Sequence, residues 1–231
     1  MASLPSSSAT GNGAPRLALS QMRRIRRIVD EAVALAEKGG FDGVRLRDVA
    51  EASGVALGTL YKYFHSKEEV LLFALNEDME RLEAVVIERP PLGADPVARL
   101  TAFFARATRG LTRRPDFARA VLRSVAASDA STAIQQAGFH LRMSRMIIAT
   151  IRGEKPNADR PLSDPVGSPQ DQRVSLVLEH VWFASLLGWA SGLHPARAVT
   201  DRMQETVELV LAAAPPQSVD KAPSDRHTAR N

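Results

Sequence analysis

RLRDVAEASGVALGTLYKYFHSKEEVL, Arg45 to Leu71, is the stretch that decides the fold. Arg47 to Ser53 reads as a short helix ended by Gly54, where a positive φ costs least in glycine. Leu57 to Phe64 reads as a second short helix. Ser66 opens a third, with Glu69 three residues on completing a capping box. Two short helices joined by ASGVA have the proportions of a helix-turn-helix. Ala50 is small where the helix axes approach, and Val49, Val55, Leu60 and Phe64 point to a small core. Aromatic residues make up 5% of the chain, yet three of the twelve fall between Tyr61 and Phe64. At helical spacing Tyr61 and Tyr63 cannot share the inward face of Leu60 and Phe64, so they are predicted on the outside.

Outward from this stretch nearly every segment has helical period. Met22, Ile25, Ile28, Val29, Ala32, Leu35 and Ala36 form one stripe, stopped by Gly39-Gly40. Leu71, Leu72, Leu75, Met79, Leu82 and Val86 carry another to Pro90-Pro91. Asp95-Pro96 is an N-cap followed by a first-turn proline. Further helices are predicted from Pro115, over about Ser131 to Arg152, over Gln170 to Gly192, and from Pro195. Residues 153–169 hold four prolines and read as a flexible loop. The expectation is an all-α chain of about nine helices. It divides into a disordered arm (1–15), a basic helix-turn-helix module (16–66), a larger helical body (67–214) and a disordered tail (215–231).

The chain has 231 residues, a net charge of +4 and no cysteine. Disulfides and thiolate metal sites are therefore excluded. Residues 21–67 hold nine Lys or Arg against six Asp or Glu, so positive charge gathers at the N-terminal end. The start has no apolar core of a signal peptide and no segment is long enough to span a bilayer. A soluble, cytoplasmic protein without a membrane partner is predicted. The five histidines form no metal spacing, and no phosphate loop or nucleophile elbow is present. No enzyme, metal or cofactor is expected, and Glu179-His180 reads as interface.

The matching core Arg47-Asp48-Val49-Ala50, Gly54-Val55, Gly58-Thr59-Leu60-Tyr61, Tyr63-Phe64 and Ser66-Lys67-Glu68 resembles the DNA-binding signature of TetR-type transcriptional regulators. The resemblance implies a homodimer that sets two recognition helices on a palindromic double-stranded operator, and a body that binds a small apolar or amphipathic effector. It implies DNA contacts from Arg45, Arg47, Leu57, Thr59, Tyr61, Lys62, Tyr63, His65 and Lys67. Arg23, Arg24, Arg26 and Arg27 form a basic cluster that is either a solvated face or a further DNA contact, and Arg16 with Arg23 could reach a neighbouring groove. Ala56 and Leu57 stand where relatives place a capping Ser or Thr and a polar residue. The lost cap costs about 1 kcal/mol.

In the body, Phe104, Met143, Met146 and Trp182 are the candidates for lining an apolar pocket, with ordinary core packing as the alternative. Ala184, Ser185, Gly188 and Ser191 fit a close helix–helix dimer seam. In TetR-type proteins the last two helices form a four-helix dimer bundle, which the stripe Val199 to Val210 matches. VLRSVAASDAS and EHVWFASLLGWASG further resemble actinobacterial repressors of cholesterol and steroid breakdown, implying a steroid or acyl-CoA effector. A drug-efflux regulator, an activator of the same fold, and a helical interaction module without DNA binding remain as alternatives.

Overall fold

The computed structural model describes residues 13–127 and 133–213. Among them are nine helices and no strand: α1 Gly13–Gly43, α2 Leu46–Ala52, α3 Leu57–Leu60, α4 Lys67–Glu88, α5 Pro96–Thr112, α6 Pro115–Ala126, α7 Ala133–Arg152, α8 Pro169–Ala190 and α9 Ala196–Ala213. Helix α1 already contains Gly13 to Pro15, three residues of the predicted arm. The rest of that arm and the tail 215–231 lie outside the described residues.

The local signals act where the sequence put them. Gly40 interrupts α1 with φ 61°, and Gly54 turns α2 into α3 with φ 66°. The Asp95 side chain accepts the Ala98 N–H at 2.8 Å, with Pro96 in the first turn of α5. Ser168 and Asp171 close a full capping box on α8. There burial pushes the Asp171 carboxyl up, but the Ser168 backbone N–H and Arg152 outweigh it and hold it below its usual value.

Two expectations shift. The second short helix has only four residues, not eight. Beyond Leu60 the chain tightens, with Lys62 N–H reaching Thr59 O and Tyr63 N–H reaching Leu60 O. An uncapped Ala56 start and a glycine at position 58 give it little helical stability of its own. The capping box at α4 is also only half formed. Ser66 Oγ accepts the Glu69 N–H at 3.1 Å, but the Glu69 carboxylate takes the His65 N–H at 2.7 Å, one residue before the cap.

The small core of α1, α2 and α3 buries Ile28, Val29, Ala32, Ala36, Val44, Val49, Leu60 and Phe64, while Val55 is half-buried and Met22 is exposed. Phe64 meets Phe73 of α4 edge to face, 5.6 Å between centroids, so α4 belongs to both modules. Beyond it α5, α7, α8 and α9 pack into the body, and α6 lies along α1.

Candidate DNA-binding face and effector body

Helices α2 and α3 meet through the Val55 N–H, which donates to Ala50 O at 3.0 Å. This holds α3 across α2 and turns its outer face to solvent. Leu57, Tyr61 and Lys62 are exposed there, and Thr59 is half-buried. Arg45 and Arg47 are also exposed, at the entrance of α2, and neither has an ion-pair partner among the described residues. Three of these six, Arg45, Arg47 and Lys62, are basic and exposed with no ion-pair partner among the described residues.

The other predicted contacts have bonds within the chain. Tyr63 is half-buried, and its hydroxyl accepts from Arg24 Nη1 at 3.4 Å. His65 lies against Glu69, Nδ1 to Oε2 3.4 Å. Lys67 Nζ donates to Phe41 O at 3.0 Å and sits 3.7 Å from the centre of the Phe41 ring. In the free protein Lys67 therefore ties α4 to the end of α1. Of the α1 arginines, Arg26 approaches Glu77 at 3.8 Å, while Arg23 and Arg27 are exposed. The Arg16 side chain lies outside the described residues.

Sequence reasoning missed the clasp between α6 and the DNA-binding module. Arg123 Nη1 donates to Asp42 at 2.8 Å and its guanidinium lies 4.4 Å from the Phe41 centroid. Arg114, just before α6, reaches Asp78 of α4 at 2.5 Å and Glu37 of α1 at 3.7 Å. The pairs span 36 to 81 residues, and no local spacing announces them.

Phe104, Met143, Met146 and Trp182 are all fully buried. Only Trp182 lines the internal apolar cavity, a space of about 20 Å³ between α4, α5, α6, α7 and α8. Leu75, Met79, Val121, Leu122 and Phe183 also line it. The Phe104 ring lies tilted against Trp182, 6.0 Å between centroids, and Trp182 Nε1 donates to Thr108 Oγ1 at 2.9 Å. Phe104, Met143 and Met146 are buried but do not line the cavity.

The predicted seam on α8 changes most. Ser185 is buried and faces its own body, and the space a side chain at Gly188 would need is filled by His194. Val199, Met203 and Val207 are fully buried within the chain, against α5 and α8. Their apolar stripe is therefore already used within the chain. The apolar surface left open on α8 and α9 instead includes Leu176, Val177, Ala184 and Leu209. Glu179 is buried and bonded to His140 of α7, whose imidazole it holds above its usual pKa chiefly through that hydrogen bond. His180 is exposed.

A short helix pair with an exposed basic face, carried on a helical body with an internal apolar cavity, is the build of a helix-turn-helix transcription regulator. The chain belongs to the TetR family: residues 28–74 match "Bacterial regulatory proteins, tetR family" and residues 93–210 match "Tetracyclin repressor-like, C-terminal domain". It is 33% identical to the HTH-type transcriptional repressor KstR of Rhodococcus jostii over 83% of this chain and 84% of that protein. Its fold is similar to that of a TetR transcriptional regulator from Rhodococcus sp. RHA1, with a TM-score of 0.72 at 21% identity over 84% of this chain and 98% of the other. It is also similar to Thermus thermophilus FadR, a TetR-family repressor solved with lauroyl-CoA, with a TM-score of 0.60 at 23% identity over 86% and 98% of the two chains.

Proposed function

We propose that the protein is a repressor that binds a palindromic operator as a homodimer and leaves it when a lipid-like effector, a steroid or an acyl-CoA, enters the body. The observation that carries this reading is the double use of α6. Its Val121, Leu122 and Val125 line the apolar cavity, while its Arg123 grips Asp42 and Phe41 of the DNA-binding module. The cavity's volume of about 20 Å³ is close to that of a single water. The interior around it is close-packed, so a lipid-like molecule enters only by displacing helices. Displacing α6 moves α1 with it and changes the spacing of two recognition helices in a dimer. The acyl-CoA seen with the Thermus protein, and the similarity to KstR, support a lipid-like effector.

The test is operator binding by fluorescence anisotropy, on DNA upstream of the protein's own gene, with and without lauroyl-CoA or a steroid CoA thioester. Lys62→Ala should weaken binding about tenfold, and the slope of log K against log salt should fall by about one. Loss of affinity with an unchanged salt slope would rule out a phosphate contact. No operator binding by the unaltered chain at any salt would favour an interaction module instead.

Leu176, Val177, Ala184 and Leu209 supply the dimer seam in this reading. Leu176→Glu with Val177→Glu should halve the mass measured by analytical ultracentrifugation while leaving helical content intact. A half-site would then be bound as weakly as by a single module. A wild-type mass of one chain at micromolar concentration would refute the dimer.

A further inference from the structure

A groove of about 730 Å³ opens between α4 and the turn that joins α5 to α6. Five arginines line it, Arg81, Arg106, Arg109, Arg113 and Arg114, against one carboxylate, Asp78. Arg109 and Arg113 are exposed and have no ion-pair partner among the described residues. Arg81 and Arg114 share Asp78, at 2.5 Å each. A cation or two at the end of α5 would balance the helix dipole, but that need is met within the last turn. The excess is a field built for an anion. Met79 and Leu111 line this groove and the apolar cavity alike, so the two spaces adjoin through a thin apolar wall.

We infer that the groove receives the phosphate-bearing end of a nucleotide thioester whose acyl part enters the cavity past Met79 and Leu111. This rests on the effector reading above and extends it to a trigger. Arginine binds phosphate oxygens bidentately, so a phosphate in the groove competes with Asp78 and Glu37 for Arg114. Asp78 belongs to α4 and Glu37 to α1, so the competition loosens α6 from both at the point where the DNA-binding module joins the body. A free acid lacks the phosphates that would compete for Arg114.

The experiment is isothermal titration of the full chain with lauroyl-CoA, lauric acid and coenzyme A, alongside operator anisotropy. The variants are Arg109→Ala/Arg113→Ala, the remote control Arg197→Ala, and Glu37→Gln/Asp78→Asn. Wild type should bind lauroyl-CoA at least about tenfold tighter than lauric acid, an advantage that shrinks as salt rises. The double arginine variant should lose that advantage with lauric acid affinity unchanged, and the Arg197 variant should keep it. Glu37→Gln/Asp78→Asn should bind operator several-fold more weakly with no ligand present. Unchanged thioester affinity in the double arginine variant, or an equal loss for lauric acid, overturns the anion site. Full operator affinity in the carboxylate variant overturns the competition. Arginine-dependent thioester binding that leaves the operator occupied upholds the groove and sinks the effector reading. A wild-type chain that binds none of the three ligands overturns both.

Discussion

Glu83→Ala is expected to cost about 3–5 kcal/mol of folding stability, among the largest losses for any single side chain of the body. Glu83 is buried in α4, with only 4% of its side chain exposed, and accepts from two arginines of α7. Arg145 Nε donates to it at 2.7 Å and Arg142 Nη1 at 2.6 Å. Arg142 also reaches the more exposed Glu80, at 3.0 Å. Arg145, whose side chain is 6% exposed, has no second carboxylate among the described residues, where it otherwise donates to Arg160 O in the loop before α8. Removing Glu83 therefore strands a desolvated guanidinium, and that penalty dominates the loss. Among the described residues the network is not fully satisfied, since Arg142 Nε is buried without a hydrogen-bond partner there.

Urea unfolding followed by circular dichroism measures the loss, provided the m-value is unchanged. Glu83→Ala with Arg145→Met should recover a large part of it, because the stranded charge is then gone. A loss below about 1 kcal/mol for Glu83→Ala would mean that water reaches Arg145 and the pair behaves as a surface ion pair.

That network marks a boundary of what the sequence discloses. Asp95, Ser66 and Gly54 act within a few residues of themselves, so their roles are legible from local spacing. The helix-turn-helix is legible because many such short-range requirements coincide between Arg47 and Glu68. Glu83 and Arg145 lie 62 residues apart, and nothing in their surroundings distinguishes them from solvated charges. Val199, Met203 and Val207 illustrate a different limit. Helical period shows that they share an apolar face, but that face is equally suited to a partner chain and to α5 and α8 of the same chain. The sequence offers Phe104, Met143, Met146 and Trp182 alike as pocket lining or core, and only the packing of five helices sets Trp182 alone among them beside the cavity. The short α3 reflects the uncapped Ala56 and the glycine at position 58, which weaken a helix without marking the residue at which it ends.

Gly58→Ala should separate folding from DNA binding. Gly58 lies in α3, is exposed, and has no positive φ, so its backbone conformation does not require glycine. A methyl group added there would meet nothing within 4 Å in the chain itself. Gly54 is the opposite case, since its φ of 66° strains any other residue. Alanine at position 58 should thus stabilise the fold by about 0.5–1 kcal/mol, and a domain of this size would melt about 1–4 °C higher. Leu57, Tyr61 and Lys62 surround Gly58 on the exposed face of α3, so in the proposed complex the glycine is where backbone comes nearest to DNA. A methyl group would hold the helix off the groove, and operator affinity should fall about tenfold, with Gly58→Val falling further. Anisotropy and thermal melting on the same preparations give both numbers. A higher melting temperature with unchanged operator affinity would show that α3 meets DNA through another face, and Tyr61 and Lys62 would lose their assigned contacts with it.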